Sequence, residues 1–332
     1  MTFPVEPRSG ETDARGLFPV QDPDVRSKVL PLFSFDPDDT ERRPVGHGTA
    51  FRIDSWSRCL SAYHVLEDLF ALDASGSGPA LRPDRRLAAL EIEGLGFGRA
   101  AVPAGAWRPL SGSVALCAVE TVPFQAPRLR NLTELVVLRI KSGREGGTPY
   151  WPLDLRRWRP AIGERVLALG YADLDHVDGE PEAGDDERPM SQYLYGAIGQ
   201  ITDIEPADGA RGRPWPVFRV AADWPGGMSG GPVFNEAGHV VGVVSSGIAG
   251  GVGTATYFSG WNIPERIMGS IDPDNPGRFL CLGAFNEEGD LALATQDAEV
   301  ARRFAEERGF SDMSVVSVDP RQDGWVRVER RW

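Results

Sequence analysis

A chain of 332 residues, 41% hydrophobic and 25% charged, can bury a substantial core, which excludes a disordered or fibrous polypeptide and removes any need for disulfides. Its formal net charge of −13 would repel nucleic acid and anionic membranes, so neither is expected as a partner; a basic peptide or protein suits that sign, as does simple solubility. The three cysteines, Cys59, Cys117 and Cys281, are odd in number, widely spaced and without a zinc-like pairing, and read as reduced thiols of a cytoplasmic protein.

Residues 1–26 are rich in Pro, Asp, Glu and Arg without periodicity and are expected to form a loose, flexible arm. The first sixteen lack the apolar stretch of a secretory signal, and no run in the chain approaches membrane-spanning length. From residue 27 the pattern changes to short apolar runs separated by Gly, Pro and Asp. Strands are expected at 29–35, 48–53, 59–62, 87–92, 114–119 and 135–140, with a helical turn or two at 65–72. These make a first antiparallel barrel over 27–145.

The stretch 141–161, with Gly146, Gly147, Pro149, Pro152 and Pro160, reads as a connection. A second set of strands follows at 165–170, 192–204, 217–222, 232–235, 239–245 and 254–258, a second barrel over 146–267. A short helix start is read at 264–269. The remainder, 268–332, differs: a hairpin at 279–285 and 291–294, a helix at 298–307 stopped by Gly309, and strands at 314–318 and 325–329. The expected class is therefore all-β, two six-stranded antiparallel barrels with a small α+β appendage of ββαββ order at the C-terminus.

The most informative string is Gly226-Gly227-Met228-Ser229-Gly230-Gly231-Pro232. A serine that attacks a carbonyl needs an exposed hydroxyl and donors aimed at the developing oxyanion. Glycines on either side allow positive φ and turn backbone amides into the site, and the amides of Gly227 and Ser229 are the natural oxyanion donors. A Gly-x-Ser-x-Gly elbow between a strand and a helix is a poor fit, because Pro232 follows and the next apolar run, Val240 to Val244, is β-branched. That elbow also needs a late histidine, and only His239 follows Ser229. The general base is read at His64, in Leu60-Ser61-Ala62-Tyr63-His64-Val65, since histidine is the side chain suited to take a serine proton at neutral pH. His47, His176 and His239 have no comparable setting.

The Gly-x-Ser-Gly-Gly-Pro loop, together with Gly48-Thr49-Ala50-Phe51 ahead of Ser61-Ala62-Tyr63-His64, resembles the trypsin-like serine proteases over about residues 28–267. The resemblance implies a chymotrypsin-type double barrel with one catalytic partner from each barrel and no cofactor. It also implies an acid at the start of an apolar strand, where this chain has Glu134 before Leu135-Val136-Val137-Leu138 in place of aspartate. A carboxylate there would hold the histidine tautomer. The alternative is a surface glutamate at a strand start, with Asp154 or Asp173 as the acid.

By the same resemblance Asp223 occupies the floor of the pocket for the residue before the cut, where aspartate selects Arg or Lys, and Ser245, Ser246 and Gly247 line its wall and pair with substrate backbone. The intervening Trp224-Pro225-Gly226 departs from the usual sequence. The acidic stretch from Asp173 to Glu187 would attract basic substrates or simply be a solvated loop. Met228 stands where secreted relatives carry the aspartate that pairs with a freshly cut N-terminus, so activation by trimming is not expected, in keeping with a bacterial cytosolic type. The expectation is a cytoplasmic serine endopeptidase using Ser229, His64 and Glu134, with a regulatory partner reaching it through the C-terminal appendage. The rival is a protease-fold module that binds a peptide or protein partner and cuts it slowly or not at all.

Overall fold

The computed structural model describes residues 3–36, 38, 44–54, 57–76, 78–91, 98–100, 104–121, 124, 126–143, 148–151, 153, 159–172, 174, 190–207, 213–248, 251–258, 272, 275, 278–295, 298–319 and 324–328. The chain divides into two units, Met1–Pro264 and Glu265–Trp332.

The N-terminal segment corrects the expectation of a loose arm. Leu17–Pro19 forms strand β1, and Pro23–Lys28 forms helix α1. Asp22 caps α1 by accepting from the amides of Asp24 and Val25, and Pro23 opens the helix, where its missing N–H costs nothing. Leu17, Phe18 and Val20 are fully buried.

The first barrel closes in the order β10-β4-β3-β2-β7-β9. Its strands are β2 (Val29–Phe35), β3 (Val45–Arg52), β4 (Arg58–Ala62), β7 (Arg86–Leu90), β9 (Trp107–Glu120) and β10 (Arg128–Ile140), with the short strands β5 (Phe70–Leu72), β6 (Pro79–Leu81) and β8 (Gly98–Ala100) outside the barrel. The two expected short strands at 114–119 and 135–140 lie within the longer β9 and β10, which pair as one hairpin. The helix expected at 65–72 is instead two tight 3₁₀ turns, Tyr63–Val65 and Glu67–Leu69, running into β5. Inside this barrel Arg52, completely buried, pairs with Glu91 at 2.7 Å and donates to the Ile140 carbonyl at 3.1 Å. Glu91 also accepts from Arg108, Ser142 and the Gly143 amide. A buried charge needs this complement of partners to stay ionised.

The second barrel is built from β11 (Arg165–Tyr171), β13 (Leu194–Glu205), β14 (Val217–Ala221), β15 (Pro232–Asn235), β16 (Val240–Ile248) and β17 (Val252–Tyr257), and closes through the β13–β14 pairing. Among the described residues β12 (Met190–Gln192) pairs only with β8. β13 is long enough to serve two neighbours on one edge: its second half meets β14, and β1 lies against its first half, Leu17 opposite Ala197. Leu17 joins Phe218, Val220, Trp224, Met228, Val233, Val244 and Ala255 in one apolar core. All-β architecture with two closed six-stranded antiparallel barrels is thus observed.

The second unit has a four-stranded antiparallel sheet in the order β19-β18-β20-β21, from β18 (Phe279–Phe285), β19 (Leu291–Thr295), β20 (Asp312–Asp319) and β21 (Gly324–Arg327). Helix α2 (Ala298–Arg308) lies between β19 and β20 in the chain and buries Ala301 and Ala305. Gly309, at φ +70°, ends it as expected, and the Phe310 amide returns to the Ala305 carbonyl at 2.8 Å. The helix start read at 264–269 lies outside the described residues. Among the described residues no helix is long and apolar enough to cross a membrane, and the three cysteines are free thiols.

Candidate active site

His64 sits where β4 breaks into a 3₁₀ turn. Its neighbours anchor that turn: Tyr63 is buried and stacks on Phe70 with ring centroids 5.6 Å apart, and Val65 is buried on the other side. The imidazole is left 35% exposed. A side chain flanked by two buried anchors is fixed in place yet open to a ligand.

Glu134 is delivered by a β-bulge. Asn131 pairs with Cys117 and Val136 with Ala115, so β10 carries more residues than β9 across this gap. The extra residues let the strand re-aim a side chain. Asn131 Oδ1 pins the bulge by accepting from the Thr133 amide at 3.0 Å and the Glu134 amide at 2.5 Å. Glu134 itself adopts φ +60°, a left-handed conformation costing about 1–2 kcal/mol for a residue with a Cβ. Its side chain is buried, 7% exposed. Oε1 accepts from His64 Nδ1 at 2.5 Å and from the Ser245 hydroxyl at 3.0 Å. With Nδ1 engaged by a carboxylate, Nε2 is the nitrogen left to accept a proton.

The glycine-rich loop that carries Ser229 joins β14 to β15. Gly227 and Gly230 hold φ +91° and +88°, which the loop needs on either side of Ser229. The amides of Met228, Gly230 and Gly231 are spent inside the protein, on the carbonyls of Pro225, Val244 and Met228. Among the described residues those of Gly227 and Ser229 donate to no protein acceptor. Met228 is completely buried in the apolar core. Ser229 Oγ donates to the Ser245 carbonyl at 3.4 Å, its only hydrogen bond among the described residues. Ser245 therefore touches both ends of the site, its carbonyl at Ser229 and its hydroxyl at Glu134.

Thr49, on β3, holds the loop against the first barrel. Its amide donates to the Ser229 carbonyl at 2.8 Å and its hydroxyl to the Gly227 carbonyl at 2.7 Å, while the Tyr171 amide donates to that hydroxyl at 2.9 Å. Ser61, three residues before His64, donates to the Thr49 carbonyl at 2.7 Å. Next to Thr49, a Cβ on Gly48 would meet the Ser229 carbonyl oxygen at 2.8 Å and Val65 Cγ1 at 2.9 Å, so Ser229 and the neighbour of His64 flank the same backbone atom. The sequence does not single out Thr49 or Asn131 as positioning residues; the Gly48-Thr49-Ala50-Phe51 string is the one signal it offers for Thr49.

Asp223 is half-buried and without a hydrogen-bond or ion-pair partner among the described residues. Ser246 and Gly247 continue β16, opposite Thr254 and Gly253 of β17. The alternative acids Asp154 and Asp173, His176, and the acidic stretch from 175 to 187 lie outside the described residues. Among the described residues no group of three or more His, Cys, Asp or Glu is placed to hold a metal ion.

The curated proteins searched hold no match to the chain. The family model of the trypsin-like peptidase domain matches residues 48–243, from Gly48 beside Thr49 to Val243 of β16, which is more than half of the sequence. The chain belongs to the trypsin-like peptidase domain family.

Proposed function

We propose that the protein is a serine endopeptidase in which Ser229 attacks the scissile carbonyl, His64 takes and returns the proton, and Glu134 orients the imidazole. The observation that carries this reading is the position of Glu134 Oε1, shared between His64 Nδ1 at 2.5 Å and the Ser245 hydroxyl at 3.0 Å. A carboxylate fixed by a pinned bulge at the distal ring nitrogen does for a glutamate what the shorter aspartate does elsewhere in the family.

In the reaction the Ser229 hydroxyl turns from the Ser245 carbonyl toward His64 Nε2, gives up its proton there, and bonds to the carbonyl carbon. The carbonyl oxygen takes the negative charge in front of the unspent amides of Gly227 and Ser229. His64 then protonates the leaving amine and the C–N bond breaks. Water, deprotonated by the same ring, hydrolyses the acyl-enzyme and restores Ser229. No cofactor takes part. The substrate is a peptide or protein, drawn by its basic character to a chain of net charge −13, in the cytoplasm. Were the Asp223 carboxylate open to a substrate side chain, it would favour Arg or Lys before the cut.

One observation favours a slower binding module instead: the Ser229 hydroxyl is bonded to Ser245 rather than to His64. Catalytic hydrogen bonds are often loose without substrate, so the enzyme reading is preferred. A fluorophosphonate probe separates the two. Stoichiometric labelling of the wild type, lost in Ser229→Ala and His64→Ala, is expected of the hydrolase; absence of labelling leaves the binding module.

A further inference from the structure

We propose that the indole of Trp224 fills the pocket for the side chain whose carbonyl Ser229 attacks, so that this peptidase cuts after small residues, Gly, Ala or Ser. The inference rests on the hydrolase reading above. By the family resemblance the side chain of the residue before the cut enters a pocket with Asp223 at its floor and Ser245, Ser246 and Gly247 along its wall, next to Trp224 and to β17.

That pocket is occupied. Trp224 is 2% exposed and belongs to the core formed by Val220, Met228, Val244 and Ala255. Its ring lies against Gly253 of β17: a Cβ there would meet Cδ2, and would come within 2.5 Å of Cε3 and 2.8 Å of Cε2. Only glycine admits the indole so close. Gly253 in turn faces Gly247 across β16–β17, so this rung of the two strands carries no side chain, and the tryptophan takes up the space at Gly253. Among the described residues the buried indole N–H has no partner, so packing holds the ring and its removal opens space without unmaking a hydrogen bond.

The same geometry bears on Asp223. A long basic side chain reaching that carboxylate would have to pass the volume that Trp224 holds. Asp223 is half-buried, with no partner among the described residues.

The test is the inactivation rate of the full-length protein by peptidyl diphenyl phosphonates that differ only at the residue before the phosphonate: Ala, Phe and Arg. The wild type should react fastest with Ala, by about tenfold or more over Phe and Arg. Trp224→Ala should raise the Phe rate about tenfold relative to Ala. Should that variant not fold, the wild-type order alone decides. Fastest reaction with Arg, lost in Asp223→Asn, or fastest reaction with Phe, overturns the proposal while leaving the hydrolase intact. A fluorophosphonate without a peptide side chain reports on the nucleophile separately: if it fails to label Ser229, the hydrolase reading falls and the pocket assignment with it.

Discussion

The amide of Thr49, on a strand of the first barrel, donates to the carbonyl of Ser229 at 2.8 Å, in the loop of the second. The contact joins residues far apart in the chain, and in the proposed mechanism it lies where the nucleophile meets its base. Thr49 also receives Ser61 on its carbonyl, and Ser61 leads directly to His64. Two loops are thereby referenced to one buried residue, and orientation of this kind supplies a large share of catalysis in a two-residue proton transfer.

Thr49→Val keeps the shape and removes the hydroxyl that serves both the Gly227 carbonyl and the Tyr171 amide. Leaving these buried groups unpaired should cost about 1–3 kcal/mol in urea denaturation. Fluorophosphonate labelling should slow by about ten- to a hundredfold, because the nucleophile loop loses its register. Thr49→Ser should keep both near wild type. Equal stability and labelling in Thr49→Val would show that the bridge is incidental.

Glu134→Ala should lower peptide turnover by about 10⁴, with little change in KM, if the carboxylate holds the imidazole. Glu134→Asp tolerates the left-handed backbone, yet its carboxylate falls one methylene short of His64 Nδ1, so turnover should land between the two. Ser245→Ala removes only the second donor to Oε1 and should cost about tenfold. Full activity in Glu134→Ala would remove this residue from the mechanism.

Ser229 and His64 stand out in the sequence because the chemistry proposed for them demands local features: glycines that allow positive φ around the serine, and a strand that ends just before the histidine. Glu134 is legible by its place ahead of Leu135-Val136-Val137-Leu138, but the bulge is not, since it depends on Asn131 meeting two amides once β9 is paired. Leu17-Phe18-Pro19 is too short to display a strand's alternation, and the charged residues around it dominate the composition. The apolar spacing of Val65, Leu66, Leu69 and Phe70 suits a helix as well as two 3₁₀ turns. Trp224 looks like an ordinary core residue until β17 brings Gly253 against its ring.

Glu91 provides a pH-dependent stability test away from the site. Burial pushes its carboxyl up, but the Gly143 amide, the Arg108 guanidinium, the charge of Arg52 and the Ser142 hydroxyl more than offset that and hold it at about 2, against 4.5 in the unfolded chain. A folded-state value below the unfolded one stabilises fully above pH 4.5 and is lost as pH falls toward 2. Urea titrations should show the wild type losing on the order of 3 kcal/mol over that window from this group alone. Glu91→Gln should lack this part of the slope. It should also be less stable at pH 7 by about 3 kcal/mol, since Arg52 would be buried without its counter-charge. Identical acid profiles for the two proteins would refute the assignment.

Trimming the N-terminus should inactivate rather than activate. In a protease switched on by a new amino group, an acid beside the nucleophile must be waiting for it; here that position is Met228, buried in an apolar core shared with Leu17. Leu17, Phe18 and Val20 are buried against the second barrel, and β1 covers the half of β13 that β14 leaves unpaired. Exposing each such side chain costs about 1.5–3 kcal/mol, a large part of a domain's total stability. Deleting residues 1–20 should therefore lower the melting temperature sharply and abolish fluorophosphonate labelling. Deleting residues 1–12 keeps Asp13, whose amide and carboxylate both bond to Leu17, and should retain labelling at or below the wild-type rate. A rise in labelling with either deletion would mean that the segment restrains the site, and the supporting role argued for β1 would be wrong.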